Sequence, residues 1–226
     1  MTKEAARTGR QLDPDFRVRK VIVAAATKVI REEGVRSLSV AQVLERAGLG
    51  TRAFYRHFQS KDELVAAVFL DMARLEARRL RKRMDATSDP VGAVVAWIDG
   101  RLDLAFTATV KSELRQMSVE AQSQMFAAPE LVGAAYSEVL TPLVEQLERG
   151  SRSGSFTEVD SAAHATSIQG ALWASVERHW ATGDGDRQDV RSHVVQFCLR
   201  GLGVAPDSIA ELLADDEQPA TKWHNR

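Results

Sequence analysis

One cysteine, Cys198, in a chain of 226 residues leaves no partner for an internal disulfide and no thiolate cluster for a structural zinc. Long apolar runs are also missing. VGAVVAWI at 91–98 is about the longest, well short of the roughly 18 residues a membrane-spanning helix needs. The first sixteen residues, MTKEAARTGRQLDPDF, contain no apolar stretch, so no secretory signal is expected and the expected compartment is the cytoplasm. Prolines are few. They fall at 14, 90, 129, 142, 206 and 219, leaving 15–89 and 143–205 free of them. No alternating apolar and polar run bounded by hairpin turns occurs, so nothing reads as a strand. The long proline-free stretches are rich in Ala, Leu, Arg, Glu and Gln, which lose little on entering a helix. The expected fold is all-α.

Catalytic signatures are absent as well. The sequence has no His-Glu-x-x-His, no Glu-x-x-His pair of the di-iron kind, no phosphate-binding loop and no Gly-x-Ser-x-Gly elbow, so no enzyme, metal or cofactor is expected. Overall charge is nearly absent too: 30 Lys and Arg against 31 Asp and Glu, a net of -1. Taken as an average, that balance speaks against a nucleic-acid binder. It is not evenly spread. Residues 1–61 hold 13 basic and 6 acidic side chains, a net of +7, and residues 62–226 hold 17 against 25, a net of -8. A basic head on an acidic body is what phosphate binding by one end requires.

What is present is a series of helices with their own punctuation. Val18, Val21, Ile22, Ala25, Val29 and Ile30 repeat at three and four and stop at Gly34. Ser39 caps a short helix over 40–47, closed by Gly48, and a second short helix spans 51–58. Ser60-Lys61-Asp62-Glu63 is a capping-box pattern opening a long helix to about Met84. Asp89-Pro90 and Pro129 open two more. The second of these is expected to be kinked or interrupted at Thr141-Pro142 and to end at Gly150, with GSRSGS at 150–155 as a loop. Asp160 and Asp186 cap the last two long helices, which end near Thr182 and Gly201–Gly203. The basic run Arg74, Arg78, Arg79, Arg81, Lys82 and Arg83 reads as a solvated face at a helix C-terminus.

The informative stretch is SVAQVLERAGLGTRAFYRHF at 39–58: two short helices and a tight turn. Val43, Leu44 and Ala47 form the inner face of the first, and Leu49 plugs the turn. Around the second, Phe54 and Phe58 fall on one side. Arg52 and Arg56 fall on the other, flanked by Ala53 and Tyr55. Such a helix buries two phenyl rings and offers two guanidinium groups outward, which suits a recognition helix in a major groove.

This stretch, extended from Val18 to Val68, resembles the DNA-binding domain of the TetR family of one-component bacterial repressors. The resemblance rests on Ala47-Gly48-Leu49, Phe54-Tyr55 with Phe58, and Ser60-Lys61-Asp62-Glu63-Leu64. It implies an all-α protein with a three-helix helix-turn-helix domain at 16–62 (the motif at 39–58) and a larger helical effector-binding and dimerisation domain at 63–214. A flexible arm at 1–15, bearing Lys3, Arg7 and Arg10, and a disordered tail at 215–226 flank them. It also implies a homodimer that represses from a near-palindromic, double-stranded operator and is released by a small-molecule effector. By the same resemblance Thr51, Arg52, Ala53 and Arg56 lie nearest base edges, Tyr55 and Lys61 contact phosphates, and Ser39 caps its helix close to a phosphate. The family usually has Ser where Gly50 stands, so the second helix here begins on a weaker cap.

Beyond residue 63 the resemblance thins to LERGSRSGSF at 147–156 and FCLRGLG at 197–203. It implies that the last two long helices pair with their copies in a second subunit, through Ile168, Ala171, Leu172, Val194, Val195 and Cys198. Large or soft side chains able to line an effector pocket are Trp97, Phe106, Met117, Met125, Phe126, Tyr136 and Trp173. His164 and Gln169 are the polar candidates to orient a ligand. The rival readings are a helical partner- or membrane-surface-binding module using the 74–83 run, which leaves 39–58 unexplained, and a helical enzyme.

Overall fold

The computed structural model describes residues 14–106 and 129–214. Met117, Met125, Phe126, the N-terminal arm up to residue 13 and the tail from 215 lie outside the described residues. Nine helices and no strand occur among those described: α1 (Pro14–Glu33), α2 (Val40–Ala47), α3 (Thr51–His57), α4 (Lys61–Met84), α5 (Pro90–Phe106), α6 (Pro129–Ser153), α7 (Ser161–Thr182), α8 (Arg187–Gly201) and α9 (Pro206–Ala214). No described helix is long and apolar enough to cross a membrane. The chain falls into two compact units. α1–α3 and α4 up to Leu70 belong to the first, and the rest of α4, α5 and α7–α9 to the second.

In the first unit α1 begins at Pro14, four residues before its apolar periodicity. Its inner stripe is Ile22, Ala25, Ala26, Val29 and Ile30, all buried. Val21, which the spacing puts on that stripe, is 45% exposed, and Val23 is buried in its place. Polar links from Arg46 to Glu32 and Glu33 and from Gln42 Nε2 to Glu33 (2.7 Å) join α2 to the end of α1.

The second unit has its own core. Trp97, Ile98 and Leu102 of α5, Leu143 and Leu147 of α6, Leu172 and Val176 of α7, and Val195 and Leu199 of α8 are all essentially inaccessible. α8 is the hub, packing on α5, α7 and α9. Its start carries a full capping box: Asp186 accepts from the Asp189 amide (3.0 Å) and the Asp189 carboxylate accepts from the Asp186 amide (2.9 Å). Asp160 caps α7 by accepting from Ala162 N and Ala163 N.

Two features depart from the sequence expectation. α6 runs through Pro142 without interruption and continues past Gly150 to Ser153, so that only the end of 150–155 is a turn. Interior proline costs a helix about 3 kcal/mol. Leu140, Leu143 and Leu147, all buried, each return about 1.5–3 kcal/mol by staying in register with the core. Burial wins. The basic run of α4 is mostly exposed, as expected of a solvated face, but several of its charges are paired. Arg79 pairs with Glu76, Arg81 with Glu145 and Arg83 with Asp103.

Candidate nucleic-acid interface and effector site

α2 is held at both ends. Ser39 Oγ accepts from Gln42 N at 3.2 Å, as its placement before α2 predicts. At the other end Gly48 adopts φ 64°, ψ 33°, the left-handed geometry that only glycine enters without penalty. This turns the chain so that Leu49 N donates back to Leu44 O (3.0 Å), closing the helix and starting the turn. Gly50 then precedes α3 with no side-chain cap, consistent with its departure from the family pattern.

α3 is short, so its position depends on what it buries. Phe54 and Phe58 are inaccessible, their ring centroids 5.7 Å apart, and the Arg19 guanidinium lies 5.1 Å over Phe58. Each phenyl contributes about 1.5–3 kcal/mol by leaving water. The opposite face is open: Thr51, Arg52 and Arg56 are exposed, Ala53 is half-buried, and Tyr55 is 64% exposed. Tyr55 stands edge-on to Phe54 at 5.3 Å, which fixes the direction of its phenol. Arg56 reaches Asp15 at 3.4 Å, but both side chains are more than half exposed, so the link contributes at most about 1 kcal/mol. Lys61, half-buried, opens α4. There Ser60 Oγ accepts from Glu63 N (3.1 Å), while Glu63 reaches back to Gln59 N (2.6 Å).

A second constellation lies inside the other unit, around a residue the sequence did not single out. Arg101 stands one turn after Trp97 on α5, with only 11% of its side chain exposed. Its guanidinium sits 5.5 Å over the Trp173 ring, and Nη1 lies 3.3 Å from Glu76 Oε1. Glu76 is shared. Arg79 donates to it from Nε and Nη2, both at 2.9 Å. Burial pulls the Arg101 pKa down and Glu76 pulls it back. The Tyr136 phenol is pushed up by burial and partly restored by Arg101. Trp97 Nε1 donates to Val139 O (3.4 Å), one turn along α6 from Tyr136. Gln169, one turn before Trp173 on α7, is 3% exposed. Arg101 thus meets both Glu76 and Trp173 and lies close enough to Tyr136 to influence its phenol, with Trp97 one turn before it on α5 and Gln169 one turn before Trp173 on α7. Phe106 stacks on His179 with centroids 4.5 Å apart.

His164 stands apart from that group. Its Nδ1 lies 2.8 Å from Asp160 O in the first turn of α7. It lines instead an open groove of about 430 Å³ between α7 and α8, together with Ser167, Ile168, His193, Gln196, Phe197 and Cys198. Leu172, Val194 and Val195 are buried within the core of the single chain, Ala171 is half-buried, and Phe197 is 62% exposed. Burial pushes the Cys198 thiol up to about 12, which keeps it protonated and unreactive. No cluster of three or more His, Cys, Asp or Glu able to hold a metal occurs among the described residues.

A glycine-closed pair of short helices with an outward Arg-Tyr face has the form of a helix-turn-helix. Residues 22–68 match the family model described as bacterial regulatory proteins, tetR family. An uncharacterized HTH-type transcriptional regulator of Haemophilus influenzae is 32% identical over 78 residues. That alignment takes in 34% of this chain and 38% of the relative, so the chain spans well under half the length of that curated relative. Among solved structures, the fatty acid degradation regulator FadR of Bacillus halodurans superposes with a TM-score of 0.62 at 20% identity, covering 87% of this chain and 100% of its own. FadR of Bacillus subtilis, solved with stearoyl-CoA, gives 0.64 at 18% identity over 80% and 98%. At these identities the likeness is one of fold.

Proposed function

We propose that the protein is a sequence-specific transcription regulator that binds double-stranded operator DNA as a homodimer and releases it on binding a small molecule. The observation that carries this reading is α3: two buried phenyl rings hold it, and Thr51, Arg52, Ala53, Tyr55 and Arg56 face outward from it. A guanidinium there can bond guanine O6 and N7 together. Tyr55, Lys61 and the capping turn at Ser39 would meet phosphates, whose net +7 surroundings attract the backbone. A single seven-residue helix reads too little sequence to be selective. Two copies one helical turn of DNA apart read a near-palindrome.

The second copy would dock on α7 and α8. Supporting this are the exposed Phe197 and the exposed small residues Ala162, Ala163, Gly170 and Ala174, which permit close helix approach. Release follows only if the effector binds better to the form whose recognition helices are wrongly spaced. The basic run on α4 offers little to the rival membrane-surface reading, since Arg79, Arg81 and Arg83 are already paired with carboxylates. The test is selection of binding sites from a random duplex library, followed by gel shifts over a salt series. A regulator of this kind enriches a two-fold symmetric sequence and binds it in a steeply salt-dependent way. No enrichment overturns the reading.

A further inference from the structure

Within the second unit the charge around Arg101 does not balance. Two buried or half-buried guanidinium groups, Arg79 and Arg101, share the single carboxylate of Glu76. Arg79 has the better of it, with two bonds at 2.9 Å and a third to Gly100 O at 2.6 Å. Arg101 keeps one contact of 3.3 Å. The next carboxylate, Asp103, is engaged by Arg83 and Arg187. A desolvated cation with a long, shared partner is costly unless something else pairs with it.

Two buried polar atoms repeat the message from different helices. Arg101 Nε, a donor, and Gln169 Oε1, an acceptor, have no hydrogen-bond partner among the described residues. Buried polar groups are almost always satisfied, and exceptions mark a missing water, ion or ligand. Two rings near Arg101 are only partly buried, Trp173 beneath its guanidinium and Tyr136, whose phenol it influences, while Trp97, one turn before it, is wholly enclosed. Flat apolar walls, one donor and one acceptor left over, and a surplus positive charge together describe a small-molecule site rather than plain core.

We propose that Arg101 anchors the effector, and that the effector is an acid: a small carboxylate on an apolar or aromatic body, carrying a donor group for Gln169. This rests on the reading of the second unit as an effector-binding domain. The carboxylate supplies the negative charge Glu76 cannot give to both arginines, and accepts from Nε. The body of the acid lies against Trp173 and Tyr136. Glu76 then remains with Arg79, so binding needs no carboxylate of the protein to be stripped of its partner.

The experiment is a thermal-shift panel on the full chain. Straight-chain carboxylates from butyrate to decanoate, benzoate and 3-hydroxybenzoate are each compared with their own primary amides, with intrinsic Trp fluorescence as a second signal. The expected result is a saturable rise in Tm of about 2 °C or more for at least one acid and not for its amide. Arg101→Gln should abolish that rise. Arg101→Lys, which keeps the charge and loses the planar fork, should weaken binding about ten-fold or more, and serves if the Gln variant does not fold. Equal effects of acids and amides, no effect of any acid, or an undiminished effect in Arg101→Gln overturns the proposal. DNA binding of the ligand-free protein is measured separately. Its loss strikes the regulator reading itself, whereas intact DNA binding beside acid-blind thermal shifts strikes this inference alone.

Discussion

Arg56 and Arg52 sit on one face of α3, and under the proposed function they would give up different things on meeting DNA. Arg56 would have to release Asp15, at little cost for so exposed a pair. Arg52→Ala should lose about 1–3 kcal/mol on the selected site and much less on random DNA if Arg52 reads a base. Equal losses on both, by titrated gel shift, would make it a phosphate contact. Lys61→Ala should instead weaken all sequences alike and reduce the slope of log affinity against log salt by about one; an unchanged slope removes Lys61 from the interface. The two faces of α3 were legible in the sequence because they depend on local spacing, Phe54 four residues before Phe58 and Arg52 four before Arg56. Arg101 was not. In VVAWIDGRLDLAF it reads as one charged residue on the outer side of an apolar helix. Its burial depends on Glu76 and Trp173, which lie 25 residues before it and 72 after it, and no local pattern encodes such a meeting.

At the scale of single helices, two glycines show different reasons for lacking a side chain. A Cβ at Gly48 would meet nothing within 4 Å, yet φ there is +64°. Gly48→Ala should therefore cost about 1–2 kcal/mol of pure backbone strain. At Gly150 the backbone is helical, but a Cβ would fall on the Phe156 ring. Gly150→Ala should lose about 1–3 kcal/mol by overpacking, outweighing the roughly 1 kcal/mol that alanine gains in a helix. Urea denaturation reads both, and a Gly150→Ala variant as stable as its parent would mean that Phe156 moves aside freely. Glycine as a helix stop was thus read well at 48 and wrongly at 150, where it marks a close approach that the sequence cannot reveal. The pair between α4 and α6 adds a pH signature. Arg81 holds the Glu145 carboxyl below its ordinary value, so its contribution is present above the usual glutamate range and fades as pH falls through the lowered value. Both groups are nearly half exposed, which limits the effect to about 1 kcal/mol. Glu145→Gln should lower stability at neutral pH and make no difference once the native carboxyl is protonated.

For the molecule as a whole, the groove between α7 and α8 makes the oligomeric state the decisive measurement. Phe197→Glu places a charge where a second copy would dock, and should shift the protein toward monomer in analytical ultracentrifugation and cost most of the operator affinity. A Phe197→Glu variant that remains dimeric would place the interface elsewhere. One more feature reaches across the second unit. Asp99 holds Arg191 at 2.6 Å and Asp103 holds Arg187 at 3.0 Å, joining α5 to α8 across 84 and 92 residues of chain. Arg191 is almost fully buried, and little of Asp99 is exposed. On a ribosome, α5 is complete long before α8 is made. Until then its two aspartates face an unfinished interior and must stay hydrated, so the core around Trp97 cannot close early. The unit should therefore fold late and in one step, with the arrival of α8 as its trigger.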